Sequence, residues 1–204
     1  MQPPDHIRKH LSNDPILKPL IDNCVLRDRP GQPTVYEALL RSINFQQLSG
    51  ASATAIHTRF LNLFPGQYPD PNKIIHMAPD ELRGAGLSRQ KATYVLNTAK
   101  FFLENNLMNK NWNPISDHDI IKELTRIKGV GRWTVEMILM FTLKRPDVLP
   151  LNDLVVRNNI IDLYDVKDLK GKALTQRLHE IAEPWRPYRT TASRYLWQGK
   201  DTPV

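Results

Sequence analysis

Residues 124–153 read LTRIKGVGRWTVEMILMFTLKRPDVLPLND, and three pieces of that stretch organise the chain: a tight glycine turn, a helix opened by it, and an acidic residue delivered after the helix ends. The turn is Lys128-Gly129-Val130-Gly131. Its paired glycines permit backbone geometry, and a close approach by a large partner, that a Cβ obstructs. Behind the turn, Trp133, Val135, Met137, Ile138 and Leu139 follow a helical apolar pattern. The NH groups from Gly131 to Thr134 therefore lie at a helix N-terminus without an intrahelical acceptor, a place that attracts anions, phosphate in particular. Ahead of it, Ile120, Ile121, Leu124 and Ile127 mark a second helix that Ser116 can start, with Asp119 in its first turn. The unit is helix, hairpin, helix over residues 117–142. A lone GxG also fits a plain turn between two helices, so this spacing leaves both readings open.

Length and charge bound the rest. A chain of 204 residues holds one substantial domain or two lobes sharing a core. Lys and Arg number 28 against 21 Asp and Glu, a net charge of +7, and the isoelectric point is near 9.6. That balance favours a polyanionic partner, nucleic acid or an anionic membrane surface. No apolar run approaches a membrane span, and the start MQPPDHIRKH lacks a signal peptide's hydrophobic segment, so an intracellular protein is expected. Cys24 is the single cysteine, which excludes an intrachain disulfide and a four-cysteine zinc or iron-sulfur site.

Taken in order, Ile7, Leu11, Ile16, Leu17, Leu20 and Ile21 predict two short helices broken near Pro15. His6 and His10 have metal-ligand spacing, but no third ligand follows and they read as a solvated face. Thr34 can cap a helix through Val35, Leu39, Leu40 and Ile43 that runs into Phe45-Gln46-Gln47-Leu48. Ala51 to Phe64 reads as a helix burying Ala55, Ile56, Phe60, Leu61 and Phe64. Short helical pieces follow at 73–77 and 79–83, then a Gly84-Ala85-Gly86 turn, then a long helix from its Ser88 cap through Leu107. Arg89 and Lys91 at its start are either phosphate contacts or a solvated basic face. After Asp153 come a helix with Leu154, Val155, Ile160 and Leu163, another over 173–182, and the stretch WRPYRTTASRYLW, whose Trp185 and Tyr188 are read as core. No convincing alternating strand appears, so the fold class is all-α.

In combination, IKGVGRWT, LPLND and WRPYR resemble the helix-hairpin-helix DNA glycosylase superfamily, and the resemblance covers roughly Tyr36 to Trp197. It implies a single compact, two-lobed glycosylase domain over residues 1–204, with the active site in the cleft between lobes. Some relatives hold a cysteine-ligated cluster, which this chain cannot build. Asp153, after the Pro146–Pro150 loop, stands at the family's catalytic position. On spacing alone Asp153, or Asn152, is equally an N-cap. INFQQLSG is similar to the family segment that fills the gap left by a flipped nucleotide, which implies Leu48 as the wedge with Gln47 next in line. The hairpin residues Lys128, Gly129, Gly131 and Thr134 would then hold DNA backbone. Carbonyls of Thr125, Ile127 and Val130 would hold a monovalent cation, sodium or potassium, and no other cofactor is expected.

Relatives that also nick the strand place a Lys two residues beyond the second hairpin glycine, where this chain has Trp133. GRWT at that place is the pattern of the alkylation-repair branch, the 3-methyladenine DNA glycosylase II type. The resemblance implies a base pocket lined by Trp133, Met137, Trp197 and Phe45. An alkylated purine is cationic and a good leaving group, so it suits an indole face and needs little acid catalysis. Glu136 is explained by the helix dipole. Some members carry a further N-terminal β-rich domain, for which these 204 residues leave no room. The expectation is a monomeric, monofunctional glycosylase acting on alkylated double-stranded DNA, in a bacterial cytoplasm or nucleoid or a eukaryotic nucleus. Two other classes stay open: a non-catalytic hairpin module that docks on DNA, and a helical scaffold for protein partners.

Overall fold

The computed structural model describes residues 2–27 and 31–198, and no strand occurs among them. Twelve α-helices follow one another there. The first seven are α1 (Asp5–Leu11), α2 (Lys18–Asn23), α3 (Val35–Phe45), α4 (Gly50–Leu61), α5 (Pro71–Ile74), α6 (Pro79–Gly84) and α7 (Arg89–Glu104). Then come α8 (Asp117–Leu124), α9 (Arg132–Phe141), α10 (Leu154–Leu163), α11 (Gly171–Ala182) and α12 (Arg189–Gln198). None of these helices is long and apolar enough to cross a membrane. Two compact units emerge, one of Met1–Pro30 with Leu139–Val204, the other Gly31–Ile138.

In the Gly31–Ile138 unit, α3 begins in a reciprocal cap. Thr34 Oγ1 accepts from Glu37 N at 3.1 Å and donates to Glu37 Oε2 at 2.7 Å. The apolar stripe of α3 (Leu39, Leu40, Ile43) is fully buried, as are Val95, Ala99 and Phe102 of α7. Helices α3, α5 and α6 all pack on α7, and α4 packs on α3. Ser88 Oγ opens α7 by accepting from Lys91 N at 3.2 Å. That helix stops at Glu104, short of the expected Leu107, because Asn106 enters the left-handed region at φ +53°. Helix α4 buries Phe60 as expected, but it also buries Ala53 and leaves Ala55 exposed.

The other unit has its own core, in which Leu11, Ile21, Val156, Ile160, Leu178, Trp185 and Tyr195 are among the buried residues. Trp185 is 1% exposed and its Nε1 donates to Asp14 Oδ2 at 2.8 Å, so the core reading of this residue holds. Tyr188 is half-buried and takes the edges of His6 and His10, with ring centroids at 5.9 and 5.2 Å. His10 Nε2 also bonds Pro184 O at 3.0 Å. His6 nonetheless stays exposed, as a solvated face requires, while His10 is half-buried and packed. No cluster of three metal-ligating side chains occurs among the described residues.

Helices α10 and α12 pack together in this unit. The loop ahead of α10 is fastened to the start of α12. Arg189 meets Asp147 in a two-pronged pair, Nε to Oδ1 at 2.7 Å and Nη2 to Oδ2 at 2.9 Å. Thr190 N donates to Pro146 O at 3.0 Å, and Thr190 Oγ1 donates to Arg145 O at 2.7 Å. This clamp fixes the segment that delivers Asp153.

Candidate active site

Asp153 is the N-cap of α10, with φ −77° and ψ 117°. Its Oδ1 accepts from Val155 N and Val156 N, both at 3.0 Å, which satisfies two of the helix's orphan amides. A third donor reaches the same oxygen: Trp197 Nε1, at 2.8 Å, from the last turns of α12. The capping role that spacing alone suggested is thus real, and the indole that joins it comes from a helix 44 residues away. Asp153 is 8% exposed, so the indole orients an acid that is buried yet still reaches the surface.

Trp197 is itself placed by stacking on Phe141, with centroids 5.7 Å apart and planes within 14°. The structure therefore keeps Trp197 at the candidate site and gives its N–H a use that the pocket assignment did not foresee. Phe141 was missed in the sequence. The available signal was its position, one turn beyond Met137 and two beyond Trp133. Trp133 projects from the first turn of α9 with 44% of its surface exposed, high for a tryptophan. Met137, four residues on, is half-buried. Glu136 lies between them in sequence, 2% exposed and paired with Arg132 Nε at 2.8 Å, so it is a buried ion-pair member rather than a residue placed by the dipole alone.

Phe45 ends α3 and is half-buried, with the Arg41 guanidinium 3.8 Å over its ring and His57 at its edge at 5.9 Å. Asn44 Nδ2 donates to His57 Nδ1 at 3.0 Å. Burial, reinforced by the Arg41 charge, pushes the His57 imidazole down to about 4, so it is neutral at pH 7 and accepts that bond. After Phe45 the chain turns sharply. Gln47 sits at φ +56°, a left-handed conformation unusual for glutamine. Leu48 follows it with 40% of its surface exposed. A strained turn that lifts a leucine into solvent suits a wedge. Lys91, read as a phosphate contact or a solvated cation, is half-buried, and its Nζ turns inward to donate to Asn44 O at 2.9 Å, serving the end of α3.

The hairpin separates its two glycines by duty. Gly129 has φ +100°, and a Cβ there would meet the Tyr94 ring of α7 at 2.3 Å from Cγ. Gly131 has no such constraint, because a Cβ there would meet nothing within 4 Å. The backbone-geometry reason for glycine therefore applies at 129, and the room for close approach lies at 131. Val135 N donates to Gly131 O at 3.3 Å and opens α9, whose first-turn amides point out along the helix axis as at any helix N-terminus. Thr134 is buried and Lys128 is exposed. Val130 N closes onto Ile127 O at 3.0 Å, while Thr125, which caps α8, is exposed. Gln46 was another omission. Its Nε2 donates to Gly129 O at 3.1 Å and so ties the residue before the Gln47-Leu48 turn to the hairpin backbone. Nothing in a Gln-Gln pair distinguishes the glutamine that turns inward.

A profile of the HhH-GPD superfamily of base excision DNA repair proteins matches residues 40–187. The DNA-3-methyladenine glycosylase 1 of Schizosaccharomyces pombe is 36% identical over 165 residues, which span 80% of this chain and 71% of that protein. The solved Schizosaccharomyces pombe 3-methyladenine DNA glycosylase in complex with abasic DNA is similar at TM-score 0.80 and 32% identity, covering 96% of this chain and 97% of that one. A DNA-3-methyladenine glycosidase from Bacillus halodurans is similar at TM-score 0.79 and 29% identity, covering 96% of this chain and 89% of that one.

Proposed function

This chain belongs to the HhH-GPD superfamily of base excision DNA repair proteins, and we propose that within it the protein is a monofunctional DNA glycosylase for alkylated purines. The observation that carries the reading is the Asp153 carboxylate, capped by α10 and held by the Trp197 indole. Neither a docking module nor a scaffold has a use for an acid oriented in this way.

The reaction follows from the chemistry of the bond. Breaking the N-glycosidic bond sends its electron pair to the base nitrogen and leaves oxocarbenium character on the deoxyribose. A carboxylate fixed in advance stabilises that positive charge without reorganising, and it can take a proton from the water that attacks C1′. The products are free base and an abasic site. Purines methylated at N3 or N7 are cationic before cleavage and depart as neutral bases. An exposed indole such as Trp133, with Met137 one turn further, offers such a cation a face on which to stack. Phe45 is the further aromatic proposed for that base, and Trp197 is the indole that holds Asp153. The Gln47-Leu48 turn is the proposed wedge, entering the space that the flipped nucleotide vacates.

Backbone binding falls to the hairpin, where the amides of Gly129, Gly131 and Thr134, with Lys128 beside them, face phosphate rather than base edges. The carbonyls of Thr125, Ile127 and Val130 are the groups that would hold a sodium or potassium ion there, and an all-oxygen set of neutral donors suits a hard monovalent cation. No cofactor enters the chemistry itself. The partner is duplex DNA bearing alkylated bases, met by a monomer wherever the cell keeps its DNA. Strand cleavage is not part of the proposal, since a Schiff base needs an amine at the place occupied by Trp133. Borohydride added during turnover on methylated duplex tests this. Free methylated base with no covalent adduct is expected, and a trapped enzyme-DNA adduct would overturn the monofunctional reading.

A further inference from the structure

Beside the hairpin lies a pocket of about 400 Å³, lined by Arg89, Gln90, Thr93 and Tyr94 of α7 and by Lys128. Two cations from separate elements face one space, and none of the lining residues is acidic. Among the described residues neither Arg89 nor Lys128 is in an ion pair, whereas neighbouring cations are committed: Lys110 to Glu123, Arg132 to Glu136, and Lys91 to a backbone carbonyl. The Tyr94 ring lies so close to Gly129 that no Cβ fits there, which fixes the pocket wall against the hairpin. Gln90 Nε2 donates to the Tyr94 hydroxyl at 2.6 Å, leaving the hydroxyl hydrogen to donate elsewhere. Guanidinium, ammonium, amide and phenol donors in a carboxylate-free pocket make a site for an oxyanion.

We propose that this pocket takes a second backbone phosphodiester of the bound DNA, distinct from the one held by the hairpin amides. It rests on the DNA reading of the hairpin and extends the footprint from the turn onto the first two turns of α7. Lys128 then serves the α7 pocket, and the hairpin phosphate is held by backbone NH groups.

The test compares wild-type protein with the double variant Arg89→Gln/Lys128→Gln and a charge-matched control, Lys73→Gln/Lys100→Gln, each first checked for an unchanged thermal midpoint. Loss of one phosphate contact lowers the slope of log affinity against log salt by about 0.9. That drop is expected in the pocket variant on every duplex sequence, with roughly tenfold weaker binding at moderate salt, and not in the control. Single methylphosphonates scanned along the duplex should weaken wild-type binding at two places and the pocket variant at one. A slope and methylphosphonate pattern identical to wild type would overturn the proposal. So would a thermal midpoint raised by inorganic phosphate over matched chloride in wild type alone with the DNA slope unmoved, since the pocket would then hold a free anion. Failure of the glycosylase reading is separate: wild-type protein would then release no base from methylated DNA.

Discussion

Three hydrogen bonds converge on Oδ1 of Asp153, two from backbone amides and one from Trp197, and two substitutions separate what they do. Asp153→Asn keeps an acceptor oxygen for the cap, because Asn caps about as well as Asp, but it removes the charge. Base release should fall by at least about 10² to 10³-fold, the typical loss for a fixed transition-state stabiliser, while binding to lesion DNA and the thermal midpoint persist. Single-turnover kinetics beside a melting curve checks both. Trp197→Phe keeps a ring to stack on Phe141 and deletes the one donor. A roughly tenfold slower cleavage step is expected, in line with one hydrogen bond to a charged group, with affinity for abasic DNA retained. Unchanged single-turnover cleavage would show that the indole N–H is structural only. At this scale the N-cap role of Asp153 was legible from spacing, and its proposal as the catalytic acid comes from the family resemblance. The Trp197 bond was not, because contacts between residues 44 apart leave no trace in periodicity.

At the scale of elements, the hairpin and the end of α3 make separate claims. Gly129→Ala forces a Cβ into the Tyr94 ring at a φ of +100°, and should lower unfolding free energy by at least about 1 to 3 kcal/mol. Gly131→Ala meets open space, so urea unfolding should be little changed while affinity for all duplexes drops together. Equal losses of stability in both variants would contradict this division. Helix α4, packed on α3, carries a pH dependence through its His57, whose folded-state value is depressed to about 4. The group is neutral in both states above the unfolded value of about 6.5. As pH falls from there toward 4, the unfolded chain takes up a proton that the folded chain refuses, so stability is lost across that window. His57→Gln should flatten this part of a plot of thermal midpoint against pH, and an undiminished slope would remove His57 as its source. Caps and apolar periods made most helices readable: Thr34, Ser88 and Ser116 all cap where expected. The inward turn of Lys91 and the exposure of Ala55 were not readable, since a helix's buried stripe depends on which neighbours cover it.

For the molecule as a whole, a net charge of +7 and a family match over residues 40–187 bear on one question, whether this chain removes bases from DNA. The charge predicts duplex affinity that declines steeply with salt, but a docking module would share that behaviour. Release of free base is what a docking module cannot do. The most direct measurement incubates methylated duplex DNA with wild-type protein and with Asp153→Asn, then resolves free purines by chromatography and strand length by electrophoresis. Wild type should release 3-methyladenine or 7-methylguanine and leave strands intact until alkali cuts them, with the variant releasing next to none. No methylated purine from wild type, or release by the variant within a few-fold of it, would contradict the assignment of Asp153 as the acid that breaks the glycosidic bond.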